Sequence, residues 1–523
     1  MNDIGADLSR WQLKFPAEHV VIAEVVAATL LVALARTPWW LILAALSTVT
    51  LIAGLRYRGH TLIGWLRLIR PTATGQPPVP AAVELGGIGT VGMGFTGRYI
   101  TTMIALYGRP WPTTELVPEG VQTDDTVPLE AAAALLRQFG GLQLHSIDVV
   151  SCGSRTGPDG RYTPRYDEII GDRSAVGARR TWLVLRLCPQ ACIAALSYRA
   201  SPAQAAAAAT ERIRQAVVRE GCRAVTAGPG QFAAAAAELA GHDMGDFSPH
   251  FTHLRAGGDY VTSYRIAGRD LTSRLLSDLW TVRTKATVVT VRMWYGAETT
   301  VVVGALVRFH TEAPLTHPPM ATLHPIPGQQ VEALRAPLPL GDDSMRLSPR
   351  ELSSQPLAIP VGPSGVLLGM SPRGTPLLMP LVDPLHHSAV CIAADFDVAV
   401  ALLLRACAAG ASAVIHTDRP AVWEPICDER MTLSTTPTDT PSRAVLHVAD
   451  GPAAVKALLA TVGERGHSVV YLTDTPPPGC DVTIRQSGGG LTVSVGGRRF
   501  DVTLMRPRNE AEYVSHAQPA GEP

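Results

Sequence analysis

Lysine is almost missing from this chain: Lys14, Lys285 and Lys456 are the only three in 523 residues. The remaining basic residues are arginines, and acidic and basic residues balance at 45 each. A nucleic-acid-binding protein needs a basic excess to neutralise phosphates, so the balance argues against a nucleic-acid partner. No Gly-Lys pair occurs, which excludes the phosphate loop G-x-x-x-x-G-K-[ST]. G-x-S-x-G and H-E-x-x-H are missing as well. The eight cysteines form no C-x-x-C and read as buried cytosolic thiols, not disulfides or metal ligands. No repeat of 20–50 residues is visible.

What is present is concentrated near the start of the chain. Two apolar runs, Val20–Ala35 and Trp39–Leu55, are separated only by Arg36, Thr37 and Pro38. A spanning helix needs about 20 apolar residues. The second run is uncharged and opens on Trp39 and Trp40, a pair suited to a membrane interface. The first reaches spanning length only if it begins near Pro16 and tolerates Glu18 and Glu24. An intramembrane carboxylate is costly without a partner, which makes Glu24 a candidate assembly contact. Ala27 and Ala28 would supply a close-packing face beside it. A signal peptide cleaved after Ala33-Leu34-Ala35 is the main competing reading; Glu24 and the second apolar run oppose it.

Arg10 and Lys14 precede the runs, and Arg56, Arg58, Arg67 and Arg70 follow them, against Arg36 alone in the connection. The positive-inside rule then places both ends in the cytoplasm. Leu62, Trp65, Leu66 and Ile69 share one helical face, as in an interfacial helix or a first core helix, and Pro71 ends it. The expected anchor is residues 1–71, with transmembrane helices at about 16–35 and 39–55.

The expected fold class is α/β: a mixed-sheet α+β cytosolic region in two lobes, anchored by that two-helix transmembrane hairpin. Residues 81–313 form the first expected domain. It includes a hairpin at Val91–Tyr107, helices at 128–139, 203–220 and 231–240, and strands at 142–150, 181–187, 191–198, 222–227 and 260–266. Two Val- and Thr-rich central strands follow at 286–294 and 300–310. Residues 110–127 and 151–180 read as loops. A Pro-rich linker or covering arm spans 314–356, a second β-α-β lobe covers 357–505, and 506–523 reads as a flexible tail.

Chemical motifs are few. Gly87-Ile88-Gly89-Thr90-Val91-Gly92 matches G-x-G-x-x-G, but a tether precedes it and a hairpin follows, so no dinucleotide site is expected. Asp395-Phe396-Asp397 is a D-x-D of the kind that holds a metal-bound sugar nucleotide. It also lies where carboxylates favour a helix N-terminus, and helix capping is the preferred reading. Asp395 and Asp397 are thus only weak metal candidates, and Arg419 reads as a salt-bridge residue before a phosphate ligand. No catalytic residue and no cofactor are expected.

The segments Leu279-Trp280, Ala286-Thr-Val-Val-Thr-Val-Arg292 and Val303-Gly-Ala-Leu-Val-Arg308-Phe-His-Thr311 resemble the core of the EccE family, a membrane component of mycobacterial type VII (ESX) secretion systems. Pro128–Val150 and the stretch Ile359-Pro-Val-Gly-Pro-Ser-Gly-Val-Leu-Leu-Gly369 resemble it too, as does the Arg-flanked apolar pair. The resemblance runs in order over most of the chain. It implies a non-catalytic, multi-pass subunit of the inner-membrane core complex. Its implied partners are EccB, the ATPase EccC, EccD and the mycosin protease. The alternatives are a membrane-anchored glycosyltransferase-like enzyme using Asp395 and Asp397, or a membrane-bound adaptor.

Overall fold

The computed structural model describes residues 80–507, apart from 88, 298–299, 340–344, 435–444 and 460–465; it also describes 11–13, 40, 47–48, 55–57, 60–61, 510 and 512–513. Two large sheets dominate, and each is packed against its own apolar core.

The first sheet is antiparallel. Its N-terminal part consists of β1 (Ala81–Leu85), β2 (Gly89–Thr96) and β3 (Tyr99–Gly108). The next strands, β4 (Thr114–Val117) and β5 (Gly120–Gln122), leave to join the second sheet. The first sheet resumes with β6 (Ser146–Ser154), β7 (Ala178–Leu187) and β8 (Arg223–Thr226). It continues through β9 (Leu254–Ala256), β10 (Asp259–Ile266), β11 (Ala286–Tyr295) and β12 (Val301–Thr311), with short strands at Ser248–Pro249, Leu323–Pro325 and Arg350–Glu351 pairing on β9, β10 and β12. Neighbours run β9-β10-β12-β11-β6-β7-β3-β2-β1, with β8 beside β3. The Val- and Thr-rich pair β11 and β12 is central, as its composition predicts.

Helices cover both faces. On one, α1 (Leu129–Ala133), α3 (Pro202–Arg219) and α5 (Ser273–Asp278) bury their apolar sides over Ile104, Ile147, Leu183 and Val291. On the other, α4 (Pro229–Ala240) and α6 (Gln330–Arg335) cover Met103, Val150, Val184 and Val288. α3 begins where the Ser-Pro signal predicts: the Ser201 hydroxyl accepts from the Gln204 amide at 3.1 Å, and Pro202 occupies the first turn.

The second sheet is mixed. Parallel strands β15 (Ser388–Ala393), β16 (Ala413–Thr417), β17 (Met431–Leu433), β18 (Leu446–Asp450), β19 (Ser468–Leu472) and β20 (Val482–Ser487) lie in the order β17-β16-β18-β19-β15-β20. Helices α7 (Phe396–Ala408) and α8 (Pro452–Leu459) pack on them. The sheet continues antiparallel through β21 (Gly490–Val495), β22 (Arg498–Thr503), β13 (Val366–Met370) and β14 (Pro376–Met379), and ends on β4 and β5.

Several local expectations are corrected. Residues 110–127 are not simply a loop: Thr114 and Glu115 on β4 pair with Leu378 and Leu377, a partner far away in sequence that the local polar composition cannot reveal. Residues 151–180 extend β6, form helix α2 (Thr163–Ile170) and begin β7. Tyr166 and Ile170 of α2 are buried in the second core. The segment 191–198 is helical: Pro189 starts a short 3-10 turn that passes into a helix over Ile193–Leu196. The helix expected over 128–139 stops at Ala133.

Candidate functional site

The residues expected to anchor and assemble the protein lie mostly outside the described residues: Glu24, Ala27, Ala28, Trp39, Arg58, Trp65, Arg67 and Arg70. Trp40 is helical and 57% exposed. Arg56 lies in a short strand, Leu55–Tyr57, that pairs antiparallel with Trp11–Leu13; Arg56 faces Gln12, and Leu55 faces Leu13. The chain on either side of residues 14–54 is therefore side by side. Among the described residues, no helix is long and apolar enough to cross a membrane.

The D-x-D is not arranged as a reaction centre, nor as the expected cap. Asp395 occupies the N-cap position of α7, but its carboxylate bonds no helix amide. It accepts instead from Gln486 Nε2 at 2.7 Å, while Gln486 Oε1 accepts from the Asp395 amide at 2.9 Å. The motif therefore ties α7 to β20. Among the described residues, no group of three or more His, Cys, Asp or Glu side chains is placed to hold a metal ion. Gly92 of the glycine motif serves a close approach: a Cβ there would lie 2.8 Å from the Gly228 carbonyl at the start of α4.

Arg419 makes the salt bridge expected of it. Its Nε and Nη2 each meet Asp450 at 2.9 Å, and Thr417 and Trp423 donate to the same carboxylate. Burial opposes ionisation of Asp450, but these donors hold it below the usual carboxylate range. The guanidinium also stacks over Phe396, 4.7 Å from the ring centre.

The most heavily buried charges belong to none of these motifs. Asp148 on β6 is fully buried and receives Arg186 from β7 at 2.5 Å and Arg292 from β11 at 2.9 Å. Burial alone would raise the Asp148 pKa, but the two guanidinium groups outweigh it and lower it. Arg186 also donates to the carbonyls of Ala336 and Leu338, just beyond α6, and Arg308 on β12 donates to Leu334 and Leu239. Arg292 reaches the Ala336 carbonyl as well, so three buried arginines satisfy carbonyls at the ends of α6 and α4, where helices leave acceptors unpaired. They fix the Pro-rich arm to the sheet. A further cluster joins the chain end to the second core: Arg405 bonds Glu510 at 2.8 and 2.6 Å, and Tyr162 donates to the same carboxylate. Glu510, within the stretch read as a tail, is buried.

Where the two sheets meet, residues 357–365 thread between them. Val127 donates to Ile359 at 2.8 Å, Val361 to Asp125 at 3.0 Å, and Ser364 to Val176 at 2.8 Å. Arg179 reaches the Pro360 carbonyl and lies 4.6 Å from the Trp280 ring centre; burial pushes its pKa down to about 9. Beside this seam is a cleft of about 520 Å³ whose rim carries Arg109, Asp124, Asp125, Glu130 and Glu220. Burial raises the Asp125 pKa, although its carboxylate accepts from the Arg109 amide at 2.7 Å.

One signal in the sequence marks these residues. Asp148, Arg186, Arg292 and Arg308 are each a single charge inside a run of strand-forming apolar residues. Strands of a sheet covered on both faces can carry such a charge only when it is paired inside. All eight cysteines are free thiols, buried or half-buried.

The buried charges of the two sheets, Asp148, Arg186, Arg292, Arg308, Arg405, Asp450 and Glu510, each close on a partner inside the chain, the arrangement of a structural scaffold. Residues 175–266 match the family model described as "Putative type VII ESX secretion system translocon, EccE". The chain is 27% identical over 474 residues to the ESX-2 secretion system protein EccE2 of Mycobacterium tuberculosis, covering 86% of each protein. It is 31% identical over 332 residues to the ESX-5 secretion system protein EccE5 of the same species, covering 58% of this chain and 80% of that protein. Against EccE5 of Mycobacterium marinum the identity is 29% over 351 residues, with 62% and 87% covered. The chain belongs to the EccE family of type VII secretion components.

Proposed function

We propose that this protein is a non-catalytic structural subunit of the inner-membrane core complex of a type VII (ESX) secretion system, supporting protein export across the cell envelope. The observation that carries this reading is the collinear similarity to EccE2 over 86% of the chain. The same similarity favours partners within an ESX complex, with EccB, the ATPase EccC, EccD and the mycosin protease as the proposed neighbours. The N-terminal apolar pair is proposed to be a hairpin of two membrane helices with both ends cytoplasmic. The pairing of Trp11–Leu13 with Leu55–Tyr57 supports it, because a segment that leaves and returns on one side of a membrane brings its two ends together. Residues 81–313 and 357–505 are proposed as two cytosolic units, with 314–356 as the arm between them.

Purification of the tagged protein from its own membranes in mild detergent, followed by identification of co-purifying proteins, tests this function. Recovery of the ESX ATPase and its membrane partners is the expected result; recovery of the protein alone would overturn it. Replacing Glu24 with Leu is expected to weaken that recovery while leaving membrane insertion intact. Undiminished recovery of partners would remove Glu24 as an assembly contact.

A further inference from the structure

The two ends of the first sheet differ. At one, β3 finishes at Gly108, β6 at Ser154, and β7 starts at Ala178; this end meets the second sheet, where the Gly157 amide donates to Ala408 and Arg223 pairs with Asp383 at 2.7 Å. The opposite end holds the β2–β3 turn at 96–99, the approach to β6 at 137–145, and the connection from β7 to α3 at 188–201. The register fixes this: Thr96 pairs with Tyr99, Leu187 with Ile100, and Ser146 with Arg186.

Three large apolar side chains project from this second end. Phe139 and Tyr198 are each 92% exposed and Ile193 is 69% exposed. They are held together: Arg199 donates to the carbonyls of Phe139 and Ala195, which joins the two connections that carry them. At the β2-β3-β7-β6 side of this end, the segments 96–99, 137–145 and 188–201 contain Arg98, Arg137 and Arg199 but no Asp or Glu; the carboxylates of this end, Glu298, Asp270 and Glu351, belong to the β11-β12-β10 side. The chain also enters β1 from this end, since Ala81 pairs with Met93 and β2 runs on from Met93 to the turn at 96–99.

We propose that this end of the first sheet rests on the cytoplasmic face of the lipid bilayer. Phe139, Ile193 and Tyr198 would sit at headgroup depth, and Arg98, Arg137 and Arg199 would face anionic phosphates. The inference rests on the membrane-anchor reading above, because the anchor precedes β1 in the chain. Exposed aromatic residues beside arginines, on connections that carry no Asp or Glu, match a polar-apolar interface carrying negative charge. The second sheet is then held away from the membrane, on the far end of the first.

The test uses the full chain in nanodiscs of phosphatidylglycerol and phosphatidylethanolamine. A photoreactive benzoylphenylalanine replaces Phe139, Tyr198 or, as a control on the second sheet, Leu459, which is 49% exposed. Lipid adducts are expected at 139 and 198 and not at 459. Arg98→Glu with Arg137→Glu is expected to lower the adduct yield at 139 by about tenfold or more, since each basic residue adds to attraction by the anionic surface. A chain that stays bound to the nanodisc but gives no lipid adduct at either position overturns the proposal and leaves the anchor reading standing. A chain that does not co-elute with the nanodisc overturns both. In native membranes, adducts at 139 and 198 to a protein subunit instead of lipid assign this face to a protein partner and overturn the proposal.

Discussion

Arg292 on β11 lies directly opposite Asp148 on β6 in the strand register, and its Nε and Nη2 each donate to that carboxylate at 2.9 Å. Arg186 donates to the same carboxylate from the other neighbouring strand. One carboxylate thereby joins three central strands and, through Ala336, the Pro-rich arm. Asp148→Ala leaves two buried guanidinium groups without their counter-charge and is expected to cost about 3–5 kcal/mol. Replacing all three residues with apolar ones of similar volume is expected to recover most of that loss, because the desolvation cost disappears with the charges. Urea unfolding of the purified chain and its variants measures both; an Asp148→Ala loss below about 1 kcal/mol would show that the carboxylate does not hold the strands.

Gly365 has φ +90°, and a Cβ there would collide with the backbone at Met379 and Pro380. It lies where the chain leaves the seam between the sheets and enters β13. Gly365→Ala is expected to destabilise the chain by at least about 1–3 kcal/mol, from the left-handed backbone alone. Gly374 also has a positive φ, of +76°, but nothing within 4 Å of a Cβ, so Gly374→Ala should cost less. A thermal-unfolding comparison of the two substitutions separates crowding from backbone strain.

Glu510 is expected to hold the chain end against the second core. Glu510→Ala removes the partner of buried Arg405 and the acceptor of Tyr162, so a loss of about 3–5 kcal/mol is expected, with earlier proteolytic cleavage near residue 506. Limited proteolysis followed by mass measurement reads the cleavage site. An unchanged cleavage pattern would mean that the contact does not order the chain end.

Two buried histidines set an acid limit. Burial, with Arg308 and His242 nearby, holds His310 well below the usual histidine pKa, and burial lowers His416 as well. Both rings are favoured neutral in the folded state, so below about pH 6.5 the unfolded chain binds more protons than the folded one. Their contribution is fully present above that pH and is lost as the pH falls below it, by up to about 1.4 kcal/mol per pH unit for each ring. Asp450, whose pKa is lowered, loses its contribution in a separate window, below about pH 4. Unfolding measured between pH 7.5 and 5.5 should show the histidine slope, and His310→Gln should flatten it.

Much of the architecture is legible from local pattern. The hairpin at β2 and β3, the Ser-Pro start of α3, the Gly241 stop of α4 and the β-α-β alternation of the second sheet all follow from short-range signals, and all occur. The expected Arg419 salt bridge is also formed. The D-x-D at Asp395 shows the limit: its place before a helix indicates a cap, but its partner is Gln486, supplied by a strand that only the folded sheet brings alongside. Strand β4 and helix α2 are illegible for the same reason, since their packing partners are distant in sequence.

The sequence by itself determined the element types where periodicity, proline and glycine act over a few residues, and the resemblance to the EccE family through residues that include Arg292 and Arg308. Tertiary structure alone decided what those arginines do. A charged residue inside an apolar strand states that it needs a partner, because burying it unpaired costs several kcal/mol. Which partner it finds depends on strand order and register. Here those place Arg186, Asp148 and Arg292 side by side beneath the end of α6, and gather Phe139, Ile193 and Tyr198 at the end of the first sheet that faces away from the second.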